Sequence, residues 1–163
     1  MKLRAPGQGS TFTVYLPSTD AELSKIAPVS SLDYPDLARG SETVLLAEDE
    51  PLVRNLANHV LCKQGYTVLE ASNGIDALSL AQKPSCQQID LVLTDVVMPQ
   101  MGGRELVRHL QTMFPNIRVL FMSGYAEEFM SHGDSLNPGV GFIEKPFMPN
   151  ALVTKVREVI DRA

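Results

Sequence analysis

Asp95 is the residue whose type and position most directly predict chemistry in this chain of 163 residues. It follows the apolar run at residues 91–94 and precedes a segment that is broken by Pro99, Gly102 and Gly103. Such a run is typical of a strand buried on both faces of a parallel sheet, and open parallel sheets bind their ligands where the strands end. Asp95 is therefore a candidate nucleophile. An aspartate that only caps the following turn fits the local sequence equally well.

Polar side chains that could act together with Asp95 follow three other apolar runs. They are the acidic pair Glu48 and Asp49, the hydroxyl of Ser123 and the ammonium of Lys145. The carboxyl ends of parallel strands share one edge of a sheet, so we expect these groups to converge. Three neighbouring carboxylates repel one another unless a cation relieves them, and an all-oxygen ligand set favours Mg²⁺ or Mn²⁺ over Zn²⁺. A lysine and a hydroxyl that could hold phosphoryl oxygens complete a site that favours phosphoryl transfer to Asp95.

The elements that must position these residues alternate between strand and helix from Glu42 onward. The apolar runs predict strands at residues 43–47, 66–71, 89–94, 117–122 and 140–144. Helices are predicted to begin near residues 51, 74, 103, 126 and 150. In the first helix, the predicted core-facing stripe consists of Leu52, Val53, Leu56, Val60 and Leu61. This alternation predicts an α/β fold with a five-stranded parallel sheet that is covered by helices on both faces.

Composition excludes several classes of function. The chain is 44% hydrophobic and 20% charged, with a formal net charge of −5 and no basic stripe, which argues against direct binding to nucleic acid. Its two cysteines lack metal-ligand spacing, and no stretch is long enough for a membrane span. We therefore expect a cytoplasmic location for these residues. The sequence is compatible with a dimer but does not predict one.

Together these motifs resemble the receiver domain of response regulators. The resemblance rests on Glu48-Asp49, on Asp95 followed by Val-Val-Met-Pro-Gln-Met-Gly-Gly, on Ser123-Gly124, and on the turn Lys145-Pro146-Phe147. It implies a flavodoxin-like receiver fold, with three α/β/α layers and the strand order 2-1-3-4-5. It also implies a role in a two-component phosphorelay, in which a histidine kinase or a histidine phosphotransfer protein supplies a phosphohistidine.

The resemblance assigns roles to the acidic residues and to the lysine. Asp95 would accept the phosphoryl group in a Mg²⁺-dependent reaction. The ion would be bound by Asp49, Asp95 and the main-chain carbonyl of Val97, with Glu48 acting mainly through water. Lys145 would pair with the phosphoryl group, and the bond between this lysine and Pro146 is often cis in the family.

The resemblance also assigns a conformational switch. Ser123 would be the hydroxyl that moves to the phosphoryl group, and Phe142 occupies the position of the family's aromatic switch residue. Val97 and Tyr125 flank the expected path of hydrolytic water, and because both are bulky we hypothesise slow autodephosphorylation. The receiver would catalyse its own phosphorylation and dephosphorylation, whereas these residues do not encode the kinase activity of a parent protein.

The residues before the receiver suggest what that parent protein is. Residues 1–17 resemble the last strand of the ATP-binding domain of sensor histidine kinases, residues 18–40 have the composition of a linker, and the receiver is predicted at 41–163. This order indicates the C-terminal receiver of a hybrid sensor histidine kinase, which could be anchored to a membrane upstream. The donor could be the kinase's own domains or a separate phosphotransfer protein.

Three other classes of protein fit the pattern less well. A haloacid-dehalogenase-type phosphatase normally has a second aspartate two residues after the nucleophile, where this chain has Val97. A flavin-binding module needs a phosphate loop after the first strand, but the acidic residues there would repel phosphate. A pure interaction domain would not need the complete set of acids, hydroxyl and lysine.

Overall fold

A five-stranded parallel sheet, in the order β2-β1-β3-β4-β5, forms the centre of the protein. The computed structural model describes Thr13, Tyr15 and residues 39–84, 88–124 and 139–162. The strands are β1 (Thr43–Ala47), β2 (Thr67–Ala71), β3 (Leu91–Asp95), β4 (Arg118–Ser123) and β5 (Val140–Glu144). All four pairings are parallel, which confirms the predicted sheet and its strand order.

Four helices connect or follow these strands in the described part of the chain. They are α1 (Pro51–Lys63), α2 (Gly74–Ala81), α3 (Gly103–Met113) and α4 (Pro149–Asp161). Proline occupies the first turn of α1 and of α4, where its missing N–H costs no hydrogen bond. Asn73 caps α2 by accepting a hydrogen bond from the Asp76 amide. The helix predicted near residue 126 lies outside the described residues.

The sheet separates two apolar cores, as expected for three layers. In β1, Val44 and Leu46 belong to the core beneath α1 and α4, whereas Leu45 and Ala47 belong to the core beneath α2 and α3. All four are fully buried. A strand covered on both faces needs apolar residues at successive positions, which explains the continuous run in the sequence.

The prediction for the apolar stripe of α1 was partly wrong. Ala57, Val60 and Leu61 are buried, but Leu52 is 77% exposed and Leu56 is 41% exposed. Successive helical residues are about 100° apart around the axis, so the sheet-facing side of α1 excludes Leu52 and Leu56. These two leucines therefore form an apolar surface on the outer side of the helix.

β3 spans Leu91–Asp95, whereas the sequence predicted residues 89–94. The shift places the candidate nucleophile inside the strand. Asp90 precedes the strand, where its side chain accepts a hydrogen bond from the Thr43 amide at 2.8 Å while its own amide donates to the Thr43 carbonyl at 2.9 Å. Asp95 is the last residue of the strand. Its backbone is therefore held by the sheet and is not part of the loop that follows.

The chain divides into two units, Met1–Asp33 and Tyr34–Ala163. Apart from Thr13 and Tyr15, the predicted kinase segment at 1–17 and most of the predicted linker lie outside the described residues. The end of that linker is described: Gly40 is buried, and its amide donates to the carbonyl of Gln64 at 3.0 Å. No helix among the described residues has both the length and the apolar composition needed to cross a membrane.

Candidate functional site

Lys145 joins two acidic residues that are far away in sequence. It follows β5, and its ammonium nitrogen lies 2.6 Å from Glu48 Oε2 and 2.6 Å from Asp95 Oδ2. Glu48 follows β1 and Asp95 ends β3, so the three side chains meet at the carboxyl edge of the sheet. The peptide bond between Lys145 and Pro146 is cis, as the family resemblance implied.

Glu48 is the most deeply buried charged group of the site, with 0% exposure. Burial raises the pKa of Glu48, because removing a carboxylate from water disfavours its charged form. The ion pair with Lys145 offsets only part of this effect, and the nearby charge of Asp95 adds to it. Glu48 Oε1 also accepts a hydrogen bond from the Glu50 amide at 3.3 Å. Both carboxylate oxygens of Glu48 therefore have partners within the protein.

The contacts with Glu48 and Asp95 stabilise the charged form of Lys145 and so raise its pKa. Burial by itself lowers the pKa of its ammonium group, but hydrogen bonds to Asp95 and Glu48 outweigh this effect and hold that pKa above its ordinary value. Lys145 faces two carboxylates, and their hydrogen bonds and charges outweigh its burial. The pKa of Glu48 rises for a different reason, because burial outweighs its single ion pair and the like charge of Asp95 adds to the effect of burial.

Asp49 completes the acidic cluster. Oxygen atoms of Glu48, Asp49 and Asp95 all lie within 4.8 Å of one another. Asp49 is exposed, and among the described residues no group donates a hydrogen bond to its carboxylate. This donor set, entirely of oxygen atoms with one open carboxylate, fits a hard divalent cation such as Mg²⁺.

The backbone around Asp95 is fixed by contacts on two sides. The buried Thr94 hydroxyl donates to the Asp95 carbonyl at 3.0 Å, and the Val97 amide donates to Asp95 Oδ1 at 3.3 Å. Gly103, at the start of α3, lies so close that an added Cβ would overlap the Asp95 carbonyl oxygen. The sequence predicted that Gly102 and Gly103 open a helix after the loop. It did not predict that Gly103 contacts the main chain of Asp95.

Ser123 and Phe142 lie on the two neighbouring strands at the far side of Asp95. Ser123 is 3% exposed, and its carbonyl accepts a hydrogen bond from the Lys145 amide at 2.8 Å. Phe142 is half-buried and lies opposite Phe121 in the register of β4 and β5. Each residue of the predicted switch is thus on a strand that adjoins the site. Tyr125, the other predicted residue, lies outside the described residues.

Arg54 is a neighbour of the site that the sequence analysis missed. Its Nη1 donates to the Glu48 carbonyl at 2.6 Å and approaches the Asp49 carbonyl at 3.4 Å. The only sequence signal was an arginine one turn into the helix that follows the acidic pair. Arginine at a helix surface is common, so that signal did not distinguish Arg54 from a solvent-exposed residue.

Comparison with known proteins identifies a family that contains such sites. Residues 44–157 match the family model of the response regulator receiver domain. The chain is 38% identical over 162 residues to the sensor kinase CckA of Brucella abortus (strain 2308). That alignment covers 96% of this chain but only 17% of the length of the kinase.

Solved structures match almost three quarters of the chain. The crystal structure of the receiver domain from hybrid histidine kinase CckA is 33% identical, with a TM-score of 0.62, and the match covers 73% of this chain and 99% of that one. The response regulator protein TrrA from Thermotoga maritima, solved in complex with Mg²⁺ and BeF, is 26% identical, with a TM-score of 0.61 over 72% of this chain and 98% of its own. The chain therefore belongs to the response regulator receiver domain family and has the phosphoacceptor function of such domains in two-component signalling.

Proposed function

We propose that Asp95 is the phosphoacceptor and that it receives the phosphoryl group from a phosphohistidine. The observation that carries this proposal is the convergence of Lys145 on Asp95 and Glu48, at 2.6 Å from each, in a cluster that also contains Asp49. A nucleophilic carboxylate with a cation at its oxygen and two further acids for a metal ion is what phosphoryl transfer requires.

The acidic residues would have two different roles in Mg²⁺ binding, direct coordination and an indirect contact through water. Asp49, Asp95 and the Val97 carbonyl would bind the ion directly. Both Glu48 oxygens already have partners, Lys145 and the Glu50 amide, which supports an indirect role through water for this residue. When bound, Mg²⁺ would neutralise charge on the phosphoryl oxygens. Mn²⁺ has similar ligand preferences and would substitute for it.

In the transfer step, a carboxylate oxygen of Asp95 attacks the phosphorus in line with the histidine nitrogen. The new O–P bond forms while the N–P bond breaks, and the imidazole leaves with the bonding electron pair and takes up a proton from solvent. The Val97 amide orients the carboxylate through its hydrogen bond to Oδ1. Lys145 moves its pairing from the carboxylate to the phosphoryl oxygens, so the positive charge stays at the reacting group.

The phosphoryl group would change the surface around β4 and β5. Ser123 would move its hydroxyl toward the phosphoryl oxygens. The burial of Phe142 in the phosphorylated state would rest on packing alone, because it lacks the hydroxyl of a tyrosine. The main-chain hydrogen bond between Ser123 and Lys145 links the two strand ends. The surface of β4, β5 and α4, together with the segment between these strands, would then bind a partner in one state and not in the other.

The side chain two residues after the acceptor would slow the loss of phosphate. Val97 is 66% exposed beside Asp95 and offers no polar side-chain atom to orient a hydrolytic water. Tyr125 would add bulk on the other side of the water path. We expect the phosphorylated state to be long-lived for this reason.

The parent protein would be a hybrid sensor histidine kinase, with this receiver at residues 41–163 after a kinase strand at 1–17 and a linker at 18–40. The alignment with the sensor kinase of Brucella abortus supports this organisation because it covers 96% of this chain and not only the receiver. Such a receiver would act in the cytoplasm. The donor would be the kinase's own phosphohistidine or that of a histidine phosphotransfer protein.

The rim of the site has the apolar residues that such a donor would bury. Leu52 is the second residue of α1, Val97 lies two residues after Asp95, and Met148 directly precedes α4. These residues are 77%, 66% and 71% exposed. Exposed apolar side chains around a charged centre favour docking of a protein over binding of a free small metabolite.

Labelling with radioactive acetyl phosphate tests the phosphoacceptor. We expect Mg²⁺-dependent label in the wild type, lability of that label to alkali as for an acyl phosphate, and no label in Asp95→Asn. Glu105→Gln removes the charge of an exposed carboxylate on α3 and should label normally. Label that persists in Asp95→Asn would contradict the assignment.

A further inference from the structure

Arg54 binds the loop that presents the two acids following β1. It lies in the first half of α1 and is half-buried. Its Nη1 donates to the carbonyl of Glu48 at 2.6 Å and lies 3.4 Å from the carbonyl of Asp49. One guanidinium nitrogen thus contacts two consecutive main-chain carbonyls, immediately before the helix that carries it.

These contacts restrain the main chain on both sides of Asp49. The amide of Glu48 is held by the Ala71 carbonyl of β2 at 3.2 Å, and the amide of Glu50 is held by the Glu48 side chain. Asp49 lies between them, and among the described residues Arg54 is the only side chain that hydrogen-bonds to it. A charge-assisted hydrogen bond at this point restrains the peptide units on both sides of Asp49, and so restrains where its carboxylate points.

The contacts of Arg54 differ in kind from those of Lys145. Lys145 pairs directly with carboxylate oxygens of Glu48 and Asp95. Within the described residues, the hydrogen bonds of the Arg54 side chain go only to main-chain carbonyls. Arg54 therefore stabilises the acidic loop and leaves the carboxylate oxygens of Asp49 open for a metal ion.

We propose that Arg54 is a positioning residue for Mg²⁺ binding, acting through the main chain of Glu48 and Asp49. This inference rests on the metal site of the proposed function, but it concerns the unphosphorylated protein. Groups that orient a metal ligand from outside the ligand shell commonly change metal affinity when they are removed, by about 10- to 100-fold.

The sign of the effect separates positioning from simple electrostatics. A positive charge near the acids repels Mg²⁺, so an arginine that acted only through its charge would weaken ion binding. Its removal would then tighten binding. A positioning residue has the opposite signature, because its removal lets Asp49 adopt orientations that do not bind the ion.

Direct ion titration of the unphosphorylated full chain tests the proposal. The chain has no tryptophan, so binding is followed by calorimetry with Mg²⁺ and by the electron paramagnetic resonance signal of free Mn²⁺. We expect Arg54→Ala to raise the dissociation constant about tenfold. Arg54→Lys keeps the charge and a donor and should restore most of the affinity. Lys63→Ala removes one exposed positive charge from the last turn of α1 and should bind the ion as the wild type does.

Unchanged or tighter binding by Arg54→Ala would overturn the proposal, as would a wild type that binds neither ion. Unfolding by urea without metal shows whether each variant is folded. If Arg54→Ala does not fold, Arg54→Gln provides the same test, because it removes the charge and is too short to reach both carbonyls. Failure of the phosphoacceptor assignment is a separate result, since it would appear as label that persists in Asp95→Asn, whatever the ion affinity of Arg54→Ala.

Discussion

The Lys145 ammonium lies 2.6 Å from the carboxylate of Glu48, whose side chain is completely buried. An unpaired charge at such a position is costly, because burial removes its hydration. Lys145 therefore supports the folded state in addition to its proposed role toward the phosphoryl group. The acid cluster depends on this lysine whenever no metal ion is bound.

Lys145→Ala should lower the free energy of unfolding by about 3 kcal/mol in the absence of metal, because it leaves Glu48 buried without its cation. Saturating Mg²⁺ should recover part of this loss, since the ion restores positive charge next to the acids. Urea unfolding with and without Mg²⁺ measures both effects. Lys155→Ala breaks the more exposed pair with Glu158 and should change the unfolding free energy by less than about 0.5 kcal/mol. Equal effects of the two substitutions would contradict the expectation.

The raised pKa of Glu48 predicts a pH dependence of defined sign. Between the ordinary glutamate pKa of 4.5 and the raised pKa of the folded state, the native protein binds a proton that the unfolded chain has released. The contribution of Glu48 to stability therefore falls as pH rises through this window. Carbon-13 chemical shifts of the Glu48 carboxyl, recorded without metal, should give a midpoint above 4.5. A midpoint at or below that value would show that Lys145 outweighs burial.

Gly103→Ala should destabilise the protein and displace Asp95. Its Cβ would overlap the Asp95 carbonyl and lie 2.8 Å from the Thr94 hydroxyl, so α3 must shift. Overpacking of this kind costs about 2 kcal/mol, and we expect labelling by acetyl phosphate to slow as well. Gly124→Ala is the matched control because, among the described residues, its Cβ would meet nothing within 4 Å. If the two variants have the same labelling rate and the same free energy of unfolding, the close approach of α3 to Asp95 does not affect stability or phosphorylation.

Val97→Asn should shorten the lifetime of the phosphorylated state about tenfold, because an amide beside Asp95 can orient the attacking water. The measurement is the decay of label after removal of the phosphodonor, in the presence of Mg²⁺. Val97→Leu keeps an apolar side chain and should leave the lifetime close to that of the wild type. An unchanged lifetime in Val97→Asn would count against a role for this position in hydrolysis.

The sheet and the edge that carries the site were predictable because their signals are local. Each strand is a short apolar run with polar residues at its end, and the strand order 2-1-3-4-5 implied by the resemblance is the observed one. Asp95 is an example of a residue whose position, but not all of whose contacts, could be predicted from the neighbouring sequence. Its position at a strand end was evident from residues 91–94, but the contact with Gly103 depends on how closely α3 packs against β3.

The rotation of α1 was not predictable for the same reason. Leu52 and Leu56 have helical spacing with other apolar residues, yet they face outward because the sheet contacts a different side of the helix. The contact of Arg54 with two carbonyls likewise depends on the path of the preceding loop. Sequence patterns specify which residues can be buried or charged, whereas the tertiary packing decides what each of them touches.

The long separations within the site have a consequence for protein synthesis. Lys145 is 97 residues from Glu48 and 50 residues from Asp95 along the chain. Contacts between distant residues form late, and parallel strands cannot pair until their crossover helices are made. On the ribosome, the acids emerge well before the lysine that neutralises them. A nascent receiver would therefore lack the complete set of site residues until β5 and Lys145 have left the exit tunnel.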